Sequence, residues 1–144
     1  MLKWLDIPPI WLVLFLITAW LVSPGAAGGG VVLLGGALVA VGLGLILWAA
    51  VTMVRSNTTV VPHLRAATLV TKGPFRFSRN PIYLGDALVL SGCLLRWGLW
   101  WALPLVFLFM WLITVRFIRS EEVRLREDFG LDFETWCAKT RRWL

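Results

Sequence analysis

The sequence predicts an all-α integral membrane protein with four transmembrane helices, a cytoplasmic loop and a C-terminal helical cap. Of the 144 residues, 59% are hydrophobic and the mean hydropathy is +0.80, well above that of a typical soluble domain. The apolar residues form four segments separated by polar or glycine-rich stretches. Seven of the ten tryptophans lie near segment ends, where indole rings favour the lipid–water boundary.

The four apolar segments predict helices at about residues 7–22, 31–54, 81–95 and 99–128. Because about 20 helical residues cross the hydrocarbon core, the second and fourth are long enough and the others end near the interfaces. The first segment resembles a signal peptide, with Lys3 before a short apolar core. Asp6 and Pro9 also precede that core, and a proline suits the first turn of a helix, which favours a retained helix.

Positive charge predicts the orientation of the chain. Residues 54–80 contain five basic residues and no acidic one, and cytoplasmic loops carry an excess of Lys and Arg. We therefore expect the loop of residues 55–80 and both termini to be cytoplasmic. After this loop and the last two apolar segments, a stop at Gly130 predicts a separate helical cap over residues 131–144.

Composition also limits the partners. A net charge of +6 beside apolar segments is an ordinary topology signal, so we expect membrane lipids and no nucleic acid as partners. The two cysteines and single histidine have no zinc-type spacing, so the sequence predicts neither a disulfide nor a metal site.

Small residues recur at intervals of seven in the second and third segments. Seven residues are about two helical turns, so each set lines one helix face and allows close helix approach. Packing within one chain is the simpler interpretation, and a homodimer seam is the alternative. The residues are Gly28, Gly35, Gly42, Ala49, Gly85 and Gly92.

The sequence Arg79-Asn80-Pro81-Ile82-Tyr83 places a guanidinium, an amide and a phenol at the start of a membrane helix. Asn80 suits the N-cap, and the free amides of a helix start favour anionic groups such as a carboxylate. Arg79 can add a bidentate contact to that carboxylate, and the Tyr83 ring can attract a cation. A basic interfacial anchor is the alternative interpretation.

Glu121 and Glu122 follow the fourth apolar segment and fall on the same predicted membrane face. Their charge would stabilise a ligand ammonium or sulfonium, although a solvated helix face with local salt bridges is the alternative. Together the two clusters match a zwitterionic cofactor with a positive sulfur. Asp86 lies one turn inside the third helix, where a carboxylate is usually functional or paired, with Arg79 or Arg116 as candidate partners.

The stretch Thr71–Gly85, the Glu121-Glu122 pair, Phe129-Gly130 and the aromatic, basic ending Trp136–Trp143 resemble the isoprenylcysteine carboxyl methyltransferase superfamily. More narrowly, they resemble its small bacterial phospholipid methyltransferase-like members. The resemblance covers about residues 57–144. It implies a multi-helix enzyme of the bacterial cell membrane that uses S-adenosylmethionine from the cytosolic side. It departs at Asn80, where the family commonly has histidine, and an amide cannot shuttle protons.

By position, the resemblance gives two sets of candidate residues. The candidate catalytic residues are Tyr83, Glu122 and Asn80. The candidate cofactor-binding residues are Arg79, Asn80, Pro81, Tyr83, Gly85, Glu121 and Glu122.

The resemblance predicts methyl transfer from S-adenosylmethionine to a lipophilic small-molecule or lipidated acceptor. A carboxylate, an amine and a thiol remain open as the acceptor group. Two alternatives are an NADPH-dependent reductase of the sterol-reductase type, which shares an Arg-x-Pro-x-Tyr arrangement, and a non-catalytic membrane scaffold.

Overall fold

A computed structural model describes residues 7–25, 28–58 and 67–144. Lys3, Asp6 and residues 59–66 of the loop that follows the second helix lie outside these ranges. The described residues form helices and turns, and the predicted all-α class is confirmed. The helices are α1 (Pro8–Leu21), α2 (Gly30–Arg55), α3 (Pro81–Arg96), α4 (Pro104–Ile113) and α5 (Arg119–Lys139).

Two of these helical stretches have the length and apolarity to cross a membrane. They are α2 and the continuous stretch Trp100–Lys139, while α1 is a shorter apolar helix. The helix α3 has only 16 residues and is mostly buried inside the bundle. Two candidate spans are therefore established, and crossing by all four segments stays a prediction.

The last helical stretch differs from the single helix expected over residues 99–128. A 3₁₀ turn at Trp100–Ala102 precedes α4, which begins at Pro104 because proline fits the first helical turn. A π-helical turn, Thr114–Ile118, then joins α4 to α5. The backbone leaves helical geometry at Gly130, with φ of 50°, so the predicted break there is confirmed.

The helices α2 and α3 meet through their glycines. A Cβ atom on Gly35 would lie 2.6 Å from the Gly92 carbonyl oxygen, and one on Gly42 would lie 2.7 Å from that of Gly85. Only glycine permits such close approach of two backbones. These four glycines are thus used in packing within one chain, and a homodimer stays a prediction.

The other side of α3 packs against α1 and α4. Leu90 and Leu94 of α3 share an apolar core with Phe109 and Ile113 of α4, and Phe15 of α1 meets the Phe109 ring edge-on at 5.4 Å. Large apolar side chains on the outer faces of α1, α2 and α4 are exposed, as expected of surfaces that face lipid. The helix α3 is therefore the centre of the bundle, with α2 on one side and α1 and α4 on the other.

The segment after Gly130 folds back over the loop that precedes α3. Phe133 and Trp136 are buried against Phe75 and Val70, and the Trp136 indole Nε1 donates a hydrogen bond of 3.1 Å to the Phe75 carbonyl oxygen. The end of α5 thereby covers the residues that lead into α3.

We predict that Gly42→Ala destabilises the protein by about 1–3 kcal/mol, because the new methyl group would overlap backbone atoms of α3. Gly44→Ala is the matched control on the same helix, since a Cβ atom there meets nothing within 4 Å. Thermal unfolding in detergent micelles would measure both. Equal melting temperatures for the two variants would contradict the glycine interface.

Candidate functional site

The residues Ser78–Pro81 form a polar corner that fixes the start of α3. Pro81 is buried and opens the helix, and the Ser78 hydroxyl accepts a hydrogen bond of 3.1 Å from the Asn80 backbone N–H. Asn80 occupies the N-cap position, but its side chain makes no capping hydrogen bond. Its amide Nδ2 instead donates to the Arg142 carbonyl oxygen at 3.0 Å. The predicted N-cap position of Asn80 is confirmed, but its side chain is held by the Arg142 carbonyl oxygen and does not cap the helix.

The first turn of α3 contacts the start of α5. The Tyr83 hydroxyl donates a hydrogen bond of 2.7 Å to Glu121 Oε1, and the Tyr83 side chain is only 8% exposed. The π-helical turn immediately before α5 contains one residue more per hydrogen-bonded loop than an α-helix, which rotates the residues after it. This turn decides which face of α5 meets α3.

Glu122 is the centre of an ion-pair cluster. Its carboxylate receives two hydrogen bonds from Arg142, at 3.0 Å from Nε and 2.7 Å from Nη2. The Arg79 Nη1 lies 3.0 Å from the same carboxylate, and the side chains of Glu122 and Arg79 are 14% and 16% exposed. The hydrogen bond to Glu122 raises the pKa of Arg142. Both carboxylate oxygens of Glu122 are therefore neutralised by guanidinium groups.

The last five residues, Thr140–Leu144, form a strap across this cluster. The Arg141 carbonyl oxygen accepts a hydrogen bond of 2.9 Å from the Arg79 N–H, and the Trp143 side chain packs against the apolar core. The strap thus joins the polar corner to Glu122. The aromatic, basic ending was part of the resemblance, but sequence spacing does not indicate that Arg142 reaches Glu122.

The Arg79 side chain has a second set of contacts. Its Nη1 lies 2.8 Å from the Cys137 sulfur, and its Nε is buried without a hydrogen-bond partner in the part of the chain that the structure describes. A buried N–H donor that lacks an acceptor costs free energy, which a ligand acceptor would recover.

The remaining candidates take different positions. Gly85 faces α2, where a Cβ atom would lie 2.5 Å from Ile46 Cγ1, so its position serves helix packing. Asp86 is buried at 6% exposure one turn further along α3 than Tyr83. Of its two candidate partners, Arg79 pairs with Glu122, and the Arg116 guanidinium lies 5.4 Å from the centre of the Trp11 ring.

The family assignment follows from a sequence comparison. A family profile described as phospholipid methyltransferase matches residues 31–132, more than two thirds of the chain. The chain belongs to the phospholipid methyltransferase family. This family lies in the same superfamily as isoprenylcysteine carboxyl methyltransferases, so the resemblance seen in the sequence is confirmed. Searches of curated proteins and of solved structures found no match.

The matched residues include most of the candidate site. They include the polar corner, Tyr83 and both glutamates, and they end at residue 132, before Cys137 and the strap. Family membership supports an enzyme that transfers methyl groups in association with a membrane. Arg142 lies outside the matched residues, so its contacts with Glu122 are known from the structure and not from the family match.

We predict that Glu122→Gln weakens attachment of the strap and destabilises the protein by about 2 kcal/mol, because two guanidinium groups lose their counter-charge in a partly buried site. Hydrogen exchange of the backbone amides in residues 140–144 and at Arg79 would measure the effect.

Glu134→Gln is the matched control, because Glu134 pairs with Arg126 on an exposed surface where both side chains are at least half exposed. Exposed pairs contribute little, so exchange at the strap is expected to stay unchanged. If the strap amides of Glu122→Gln exchange as slowly as those of the native chain, the Glu122 carboxylate does not hold the strap in place.

Proposed function

We propose that this phospholipid methyltransferase-family protein transfers a methyl group from S-adenosylmethionine to a lipophilic acceptor at the cytoplasmic face of the bacterial cell membrane. One observation supports the proposal most directly. The Tyr83–Glu121 hydrogen bond and the Arg79–Glu122–Arg142 cluster lie side by side, where the first turn of α3 meets the start of α5. Groups that favour an anion and groups that favour a cation are therefore adjacent.

The residues present fit the methyl donor. S-adenosylmethionine carries a carboxylate, an ammonium and a sulfonium. The buried Arg79 Nε lacks an acceptor among the described residues and suits the carboxylate. The Glu121 carboxylate, oriented by Tyr83, suits the two positive groups. We therefore assign Arg79, Tyr83 and Glu121 to direct binding.

Glu122 has a different role in this proposal. Because Arg79 and Arg142 already engage its carboxylate, Glu122 acts by positioning those guanidinium groups. Asn80 acts in the same way, since its amide holds the strap by the Arg142 carbonyl oxygen. The sequence-based catalytic assignment of Glu122 and Asn80 thus becomes a positioning role, and Tyr83 stays in the binding site.

S-adenosylmethionine, when bound, supplies an electrophilic methyl group on a positively charged sulfur. The protein aligns that methyl group with the acceptor and excludes water from the site. The buried Tyr83 and the apolar core next to it contribute to both effects. The family description favours the amine of a phospholipid as the acceptor. An amine that arrives as an ammonium must lose its proton before it can react, and we assign Glu121 to accept that proton.

Orientation follows from charge. Arg76, Arg79 and the charged α5 lie at one end of the bundle together with the strap. An excess of basic residues marks the cytoplasmic side, so the proposal places the site and both termini there. A lipid acceptor would then reach the site from the bilayer.

Binding is tested by isothermal titration calorimetry of the detergent-solubilised protein with S-adenosylmethionine and its demethylated product. We expect both to bind, and we expect Tyr83→Phe to weaken binding about tenfold through loss of the hydrogen bond that orients Glu121. Glu134→Gln is the control and should bind as the native chain does. The absence of binding heat with both compounds would contradict the proposal. Binding heat on titration with NADPH would favour the reductase instead.

The acceptor is tested by transfer of a labelled methyl group into a phospholipid extract. We expect label in lipid amines, with Glu121→Gln lowering turnover more than it weakens donor binding if this carboxylate accepts a proton. The matched variant is again Glu134→Gln. Label found only in carboxylate or thiol products would exclude the amine acceptor while leaving methyl transfer intact.

A further inference from the structure

A groove with an apolar wall and one charged residue lies at the end of the bundle opposite Tyr83. An open groove of about 390 Å³ runs between α2 and the end of α3, near Arg96. Arg96 lies thirteen positions after Tyr83 on α3, a rise of roughly 20 Å. The groove is therefore remote from the candidate methyl-transfer site and serves none of the roles proposed there.

The wall of the groove is apolar and concave. Val39, Ala40 and Leu43 of α2 line it together with Cys93 of α3. Gly36 and the small Ala40 side chain leave a recess where a larger residue would stand out from α2. An apolar recess on the surface of a membrane helix pair has the chemistry to hold a hydrocarbon chain.

The end of the groove carries a positive charge. Arg96 lies against α2 because Gly36 has no side chain, and a Cβ atom there would be 3.1 Å from the Arg96 Nη1. That Nη1 donates a long hydrogen bond of 3.4 Å to the Val32 carbonyl oxygen. Val32 belongs to the first turn of α2, so the guanidinium sits beside the positive end of the helix dipole.

Nothing acidic in the described ranges compensates this charge. Residues 7–85 and 87–120 contain no Asp or Glu, and Asp86 lies ten residues, roughly 15 Å, before Arg96 along α3. Among the described residues, the acids of α5 pair with other arginines, namely Arg79, Arg126 and Arg142. Trp97 lines the same groove, and tryptophan favours the interfacial level of a bilayer.

We propose that this groove binds an anionic phospholipid of the leaflet opposite the methyl-transfer site, with one acyl chain against Val39, Ala40 and Leu43 and the phosphate on Arg96. Charge complementarity selects the occupant, since an isolated guanidinium beside a helix N-terminus favours a phosphate that carries net negative charge. A zwitterionic lipid presents the same phosphate with a compensating ammonium and gains less. The bound lipid would hold α2 and α3 together at this end.

The test compares two lipids with identical acyl chains, dioleoyl phosphatidylglycerol and dioleoyl phosphatidylcholine, added to the full chain in detergent. Native mass spectrometry would count retained lipid, and thermal unfolding would measure stabilisation. We expect preferential retention of phosphatidylglycerol and a higher melting temperature with it. Equal retention and equal stabilisation by the two lipids would overturn the proposal.

Two variants separate the charge from the apolar recess. Arg96→Gln should lower the preference for phosphatidylglycerol about tenfold, the effect of one lost charge-assisted contact. Ala40→Leu should fill the recess and weaken retention while Arg96 remains. Arg126→Gln and Ala37→Leu are the controls, because they make the same changes at exposed positions outside the groove. Retention that is unchanged in both Arg96→Gln and Ala40→Leu would disprove the site.

A third arm distinguishes a lipid from free phosphate. Glycerol 3-phosphate has the anionic group without acyl chains, so we expect it to give no stabilisation. The same stabilisation as phosphatidylglycerol would show a simple anion site and overturn the lipid assignment. Modification of Cys93 by maleimide in a Cys137→Ala variant gives an independent readout, since a lipid in the groove should slow it.

Discussion

The carboxylate of Glu122 is the point on which the polar end of the protein depends. It lies on α5, yet it is paired with Arg79 from the loop before α3 and with Arg142 from the strap. Three segments distant in sequence are thus tied by one side chain that is 14% exposed. Removing one partner from such a partly buried pair leaves an uncompensated charge, so the three segments hold each other in place.

This cluster acts on a scaffold built around α3. Glycines on one side let α3 approach α2 until backbone atoms are in contact, and an apolar core with α1 and α4 fills the other side. With α3 fixed, Tyr83 has one position, and the π-helical turn presents Glu121 to it. The site is therefore defined by rigid helices, with a loop and the chain end closing over it.

The two ends of α3 carry different chemistry on the same helix. At Tyr83 the surroundings are rich in paired acids and bases, whereas at Arg96 a single guanidinium borders an apolar groove. A membrane enzyme has both a polar ligand and a lipid environment to accommodate. The length of α3 separates the paired charges around Tyr83 from the apolar groove beside Arg96.

Hydropathy and helix signals in the sequence were enough to predict the all-helical class, the approximate positions of the apolar helices and the break at Gly130, because these follow from local composition. The residue types at Arg79, Tyr83 and Glu121 also indicated a polar site. The recurrence of small residues also predicted close helix packing at Gly85. Tertiary structure alone decided that the Asn80 amide binds the strap and that Glu122 pairs with Arg142. These are contacts between segments far apart in the chain, and no local pattern encodes which partner a side chain will meet.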